Sequence, residues 1–181
     1  MNEKQLGIGE STCSGVFGAI PLHQPNGTAL FAMERATTAR QAVQMMGALA
    51  EEHGFYGAGE FEGTSESLAV SDTDEAWIFH ILPDPTGTLC IWADQRVPDN
   101  GFAILANMFV MRQVDPNDTE NSLMSKSVHQ VARDYNWWSE EEGLLGFTMV
   151  YRDEEIFSKV LLDAHHFALQ ECHRTTHQST L

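Results

Sequence analysis

The sequence predicts a layered α+β domain, with antiparallel strands inside and helices outside. Two candidate strands, residues 66–71 and 75–81, flank Ser71-Asp72-Thr73-Asp74, a turn-forming string that signals a hairpin. In the second strand Trp77, Phe79 and Ile81 share one face, and Ala76, Ile78 and His80 the other, so both faces are expected to be covered. A helical apolar stripe at residues 38–53 supplies one cover.

The elements follow in chain order. Residues 6–10 (LGIGE) read as a short strand whose glycines let other backbone or a ligand come close. Residues 11–36 are punctuated by Gly, Ser and Pro and read as loop, with room for a short strand. The helix at 38–53 is the clearest element. Thr38 caps its start, with Gln41 three residues on as capping-box partner. Ala39, Ala42, Val43, Met46, Leu49 and Ala50 form its buried stripe, and Gly54 suits its end. After the hairpin, Pro83, Asp84, Pro85 and Gly87 break the chain. Residues 88–93 (TLCIWA) and 101–110 (GFAILANMFV) read as third and fourth strands. Residues 126–135 read as a second helix with Val128, Val131, Ala132 and Tyr135 inward. Residues 146–151 (GFTMVY) read as a further strand, and 154–171 as a helical tail.

Composition narrows the function classes. Of 181 residues 43% are hydrophobic and 20% charged, with mean hydropathy −0.25, the profile of a soluble globular domain. No apolar run approaches the roughly 20 residues a membrane helix needs, and no signal-peptide pattern opens the chain. Ten basic against 26 acidic residues give a net charge of −16. Between Arg40 and Arg96 there is no Lys or Arg, while acids such as Glu51, Glu60, Asp72 and Asp84 accumulate. Such a surface repels phosphate, which disfavours nucleic acid and anionic membranes as partners. Cys13, Cys90 and Cys172 are too few and too dispersed for a disulfide framework or a zinc ribbon. Sequons at Asn26 and Asn117 leave the compartment open.

Few residues suggest chemistry. Asn107 is an amide inside the apolar run at 101–110. It either ends a strand by bonding a neighbouring loop, which spacing alone favours, or aims an N–H at a developing oxyanion. The string Gly7-Ile8-Gly9-Glu10-Ser11-Thr12-Cys13 either makes a tight turn or lines a cleft. Cys13 has no His close in sequence and reads as an inert thiol. His165 and His166 are adjacent and cannot share a helix face; Cys172, His173 and His177 sit in a polar, solvated tail rather than a metal site. Asp72 and Asp74 lack the Gly and Glu of a calcium loop and read as turn residues. With no phosphate loop, dinucleotide fingerprint or Gly-x-Ser-x-Gly elbow, no cofactor and no metal are expected.

Seven strings occur in a telling order. They are MNEKQLGIGEST at 1–12, TARQA at 38–42, GFYG at 54–57, Ser71-Asp72 through Glu75-Ala76-Trp77, Ile91-Trp92-Ala93 through Gln95-Arg96-Val97-Pro98-Asp99, Ala106-Asn107-Met108-Phe109, and Trp137-Trp138. Together they resemble the middle of the dipeptidase A and secernin family of cysteine peptidases, within the N-terminal-nucleophile hydrolases. The resemblance covers residues 1–151; residues 152–181 form a divergent tail. It implies an αββα four-layer sandwich, incomplete here at both ends. It also implies dipeptide hydrolysis by a cysteine that becomes the first residue after processing, with its own α-amine as base. Residue 1 here is Met, in a string resembling an internal strand, so the nucleophile is expected upstream and the chain alone is expected to be inactive. By the same resemblance Asn107 matches the oxyanion-side Asn, and Glu10, Ser11 and Thr12 fall where relatives line the substrate cleft. The expected partner is a dipeptide or short peptide, and a homo-oligomer stays open. Two alternatives remain: a non-catalytic fragment or pseudoenzyme that binds a peptide or protein partner, and a linear-amide acylase of the bile-salt or penicillin V type.

Overall fold

The computed structural model describes residues 1–17, 28–55, 65–87, 89–155 and 158. Its centre is a five-stranded antiparallel sheet of β1 (Gly7–Cys13), β2 (Ser65–Ser71), β3 (Ala76–Pro83), β4 (Cys90–Arg96) and β6 (Ser122–Met124), in the order β1-β2-β3-β4-β6. A two-stranded ladder joins β5 (Gln113–Val114) to β7 (Leu145–Gly146).

Strand alternation divides the interior into two layers. Leu68, Val70, Trp77, Phe79, Ile81 and Trp92 face α1 (Thr28–Arg35) and α2 (Ala39–His53). Ile78, Leu82, Ile91 and Ala93 face the opposite way, toward Phe109, Met111, α3 (Ser127–Asp134) and α4 (Phe147–Tyr151). The mixed α and β architecture and the two-sided burial of β3 are therefore as expected. Glycine lets α2 approach the sheet closely. A Cβ on Gly47 would lie 2.4 Å from the Trp92 ring, which stacks on Phe79 and donates through Nε1 to Glu51 at 3.0 Å.

The hairpin turn also holds the helix. Asp72 Oδ1 accepts from the Asp74 and Glu75 N–H groups, and Oδ2 accepts from Ala39 N–H at 2.6 Å, at the start of α2. Burial opposes its charge, yet these three backbone donors together hold its pKa below the ordinary carboxylate value. Thr38 caps α2 by accepting from Gln41 N–H. The Gln41 side chain reaches back to Thr37 N–H rather than to Thr38. Along the stripe Leu49 is only half-buried, and Gly47 takes its place against the sheet.

Four expectations are corrected. Residues 28–35, read as loop, form α1, of which only Ala32 is buried. Residues 101–110 form no strand; Phe102 is 86% exposed and Ile104 70%. Their apolar run meets no ladder among the described residues, and the place beside β4 goes to β6. Residues 147–151 form a short helix instead of a strand. Phe147 and Tyr151 are buried one turn apart while Met149 points outward, a pattern too short to separate from alternation. In α3, Val128 and Ala132 are buried but Tyr135 is half-exposed, edge-on to Phe17. The tail expected at 154–171 lies mostly outside the described residues.

Candidate active site

The face of the sheet turned away from α2 carries polar groups within an apolar layer. The register sets Ser11 opposite Ser67, Ser67 opposite His80, and His80 opposite Ala93, so all four side chains share that face. Ser67 and His80 are fully buried, and buried polar atoms need partners. His80 Nε2 accepts from the backbone N–H of Val110 at 3.0 Å and of Met111 at 3.2 Å. The ring hydrogen therefore sits on Nδ1 and donates to Ser67 Oγ at 2.7 Å. Ser67 Oγ donates to the Met108 carbonyl at 3.4 Å and lies 3.0 Å from Cys13 Sγ. Burial pushes the His80 pKa down to about 3, which keeps the ring neutral and its acceptor nitrogen in use.

These bonds fasten residues 108–111 across the sheet. Asn107 is the residue just before them. Its Nδ2 donates to the Thr12 carbonyl at 3.0 Å, which orients the carboxamide on β1. The sequence placed this amide inside an apolar strand; it sits instead on an exposed bend whose backbone is pinned by buried groups. The structure thus joins two of the candidate residues, Asn107 and Thr12, through a backbone carbonyl. Ser11 points to the same layer as His80. Glu10 pairs with Leu68, whose side chain packs under α2, so its side chain turns to the other face. Sequence reasoning did not single out Ser67 or His80; the signal was a lone imidazole within Ala-Trp-Ile-Phe-His-Ile-Leu.

A cavity of about 530 Å³ adjoins this site. Glu10 and Ser11 border it, with Ala69, Ile78, Val97 and Leu105. A larger one of about 1180 Å³ lies between α2, β6 and α3 and touches none of the candidate residues.

Neither described cysteine is placed as a nucleophile. Cys13 is fully buried. Burial, helped by Glu51 and Asp84, pushes the Cys90 thiol up to about 12, so it stays protonated. Cys172 and the histidines at 165, 166, 173 and 177 lie outside the described residues. Among the described residues no group of three His, Cys, Asp or Glu could hold a metal ion, and no helix is long and apolar enough to cross a membrane.

Known proteins resemble part of this chain. It is 28% identical over 119 residues to a probable dipeptidase of Salmonella dublin, covering 66% of this chain and 25% of that protein. It is 30% identical over 106 residues to a probable dipeptidase B of Streptococcus pyogenes serotype M1, covering 59% and 19%. A dipeptidase of Bifidobacterium longum is 32% identical over 97 residues, covering 54% and 15%. The chain thus matches a quarter or less of the length of these relatives. Residues 12–178, which take in the Asn107–Thr12 pair and the His80 network, match the model of peptidase family C69; the chain belongs to that family.

Proposed function

We propose that this protein contributes the oxyanion side of a cysteine dipeptidase of the N-terminal-nucleophile class, with the αββα sandwich as its complete fold. The observation that carries this reading is the Asn107 carboxamide, exposed but fixed to Thr12 and backed by a segment that His80 immobilises. A donor held in place before the reaction stabilises charge at the moment it forms, without reorganisation cost. In this mechanism a thiol attacks the scissile carbonyl carbon through sulfur while its proton passes to an α-amine. Such an amine titrates at roughly 7.7–8.0, suited to a base at neutral pH. The carbonyl oxygen becomes an oxyanion and accepts from Asn107. The amine leaves with the proton, and water hydrolyses the thioester. Ser11 and the Thr12 backbone border the substrate, with Glu10 at the rim. Cys13 and Cys90 are both buried, and neither is assigned as that thiol.

A second reading, a peptide-binding domain without turnover, is favoured by the burial of both described cysteines. One assay separates the two. A dipeptide panel is incubated with the 181-residue chain and with the gene product extended to an upstream cysteine. Hydrolysis by the extended protein alone, lost on replacing that cysteine, supports the enzyme. No turnover by either supports the binding domain. Turnover by the 181-residue chain that Cys13→Ser abolishes would contradict the assignment of the nucleophile.

A further inference from the structure

We infer that the 530 Å³ cavity beside β1 is the pocket for an apolar side chain of the bound peptide, with Gly9 as the residue that keeps it open; this rests on the peptide reading above. The register builds its floor. Gly9, Ala69 and Ile78 lie in one row across β1, β2 and β3, directly beside the row of Ser11, Ser67 and His80. Glycine in a strand costs conformational entropy and packs nothing, so its presence calls for a local reason. At Gly9 no positive backbone angle demands it, and a Cβ built there would meet nothing within 4 Å. What glycine leaves at this position is space. Ala69 is exposed although it sits on an inner strand, so the floor is open to solvent. Val97 and Leu105 give the walls their apolar character, and Phe102 forms a rim.

Position decides what enters. Residues 9–11 line the cavity and Thr12 accepts from Asn107, so cavity and amide are neighbours along one strand. On the other side Leu105 lines the cavity two residues before Asn107. A peptide whose carbonyl reached Asn107 would find this pocket within a residue's reach. The apolar lining fits an aliphatic or aromatic side chain and offers nothing to glycine.

The test compares two dipeptides with the same backbone, leucyl-glycine and glycyl-glycine, by titration into the 181-residue protein with backbone amide resonances as readout. Leucyl-glycine is expected to bind about tenfold or more tightly, the usual discrimination of an apolar pocket, and to shift Gly9, Ala69 and Leu105. Gly9→Leu and Ala69→Leu fill the cavity from two strands. Both are expected to erase the preference while leaving the thermal midpoint unchanged or raised. Equal binding of the two dipeptides, or a preference that survives both substitutions, overturns the pocket and leaves peptide binding intact. Binding of neither dipeptide overturns the pocket and the peptide reading together.

Discussion

Ser67 Oγ and His80 Nδ1 lie 2.7 Å apart on neighbouring strands, both fully buried, and the serine oxygen accepts from the ring hydrogen that the opposite nitrogen cannot carry. With the hydrogen on Nδ1, Nε2 accepts the two N–H groups of Val110 and Met111. An imidazole thus takes over the work of a missing ladder partner for a segment that forms no strand.

The first prediction concerns acid. The folded His80 pKa of about 3 lies below its ordinary 6.5, so between these values the unfolded chain binds a proton that the fold excludes. Stability contributed by neutral His80 is full above pH 6.5 and is lost as pH falls toward 3. At pH 5 the loss is about 2 kcal/mol. Urea midpoints for wild type and His80→Gln at pH 7 and pH 5 measure it. Wild type should lose more than the variant on acidification; equal losses would show that His80 titrates normally.

Asp94 has the opposite sign. It is fully buried opposite Phe79, Oδ1 accepts from Leu123 N–H at 2.8 Å, and Oδ2 has no hydrogen-bond partner among the described residues. Burial raises its pKa to about 8, against the lowering effects of the Leu123 bond and Arg40. The fold keeps a proton that the unfolded chain releases above 3.8, so stability falls as pH rises from there to about 8. Asp94→Asn removes this dependence. Its stability relative to wild type should improve by about 1 kcal/mol per pH unit across that range. The two effects oppose one another between pH 3.8 and 6.5, so each variant must be compared with wild type at every pH.

Gly47→Ala should destabilise. The added methyl meets ring atoms of Trp92 at 2.4–2.7 Å. Overpacking costs about 1–3 kcal/mol, against a helix-propensity gain of roughly 1 kcal/mol. A double-mutant cycle with Trp92→Leu checks the cause, since removing the ring should turn the alanine neutral or favourable. A cost that persists without the ring would point elsewhere.

On the proposed dipeptidase reading, Asn107→Ala should lower kcat about 10²–10³-fold with little change in KM, measured in whichever form of the protein turns over dipeptides in the assay above. The residue is exposed, so the lost bond to Thr12 should cost no more than about 1 kcal/mol of stability. Near-normal kcat in a folded variant would reduce Asn107 to a tether between its segment and β1.

Much of this protein was determined by local sequence. The hairpin about Asp72, the stripe and Thr38 cap of α2, and the two-sided burial of β3 follow from alternation, helical spacing and turn chemistry, all acting over a few residues. Ordered strings alone also pointed to the family. Tertiary structure decided the rest, because the deciding partners lie far away in sequence. Residues 101–110 have the composition of a strand, yet a strand exists only where a neighbour offers a ladder, and here His80, some 30 residues earlier, takes the N–H groups instead. Asn107 was visible as an unusual amide, but its anchor on Thr12, 95 residues away, was not. The cavity depends on the register that aligns Gly9, Ala69 and Ile78. Register is set by the pairing of whole strands, and no single strand's sequence carries it.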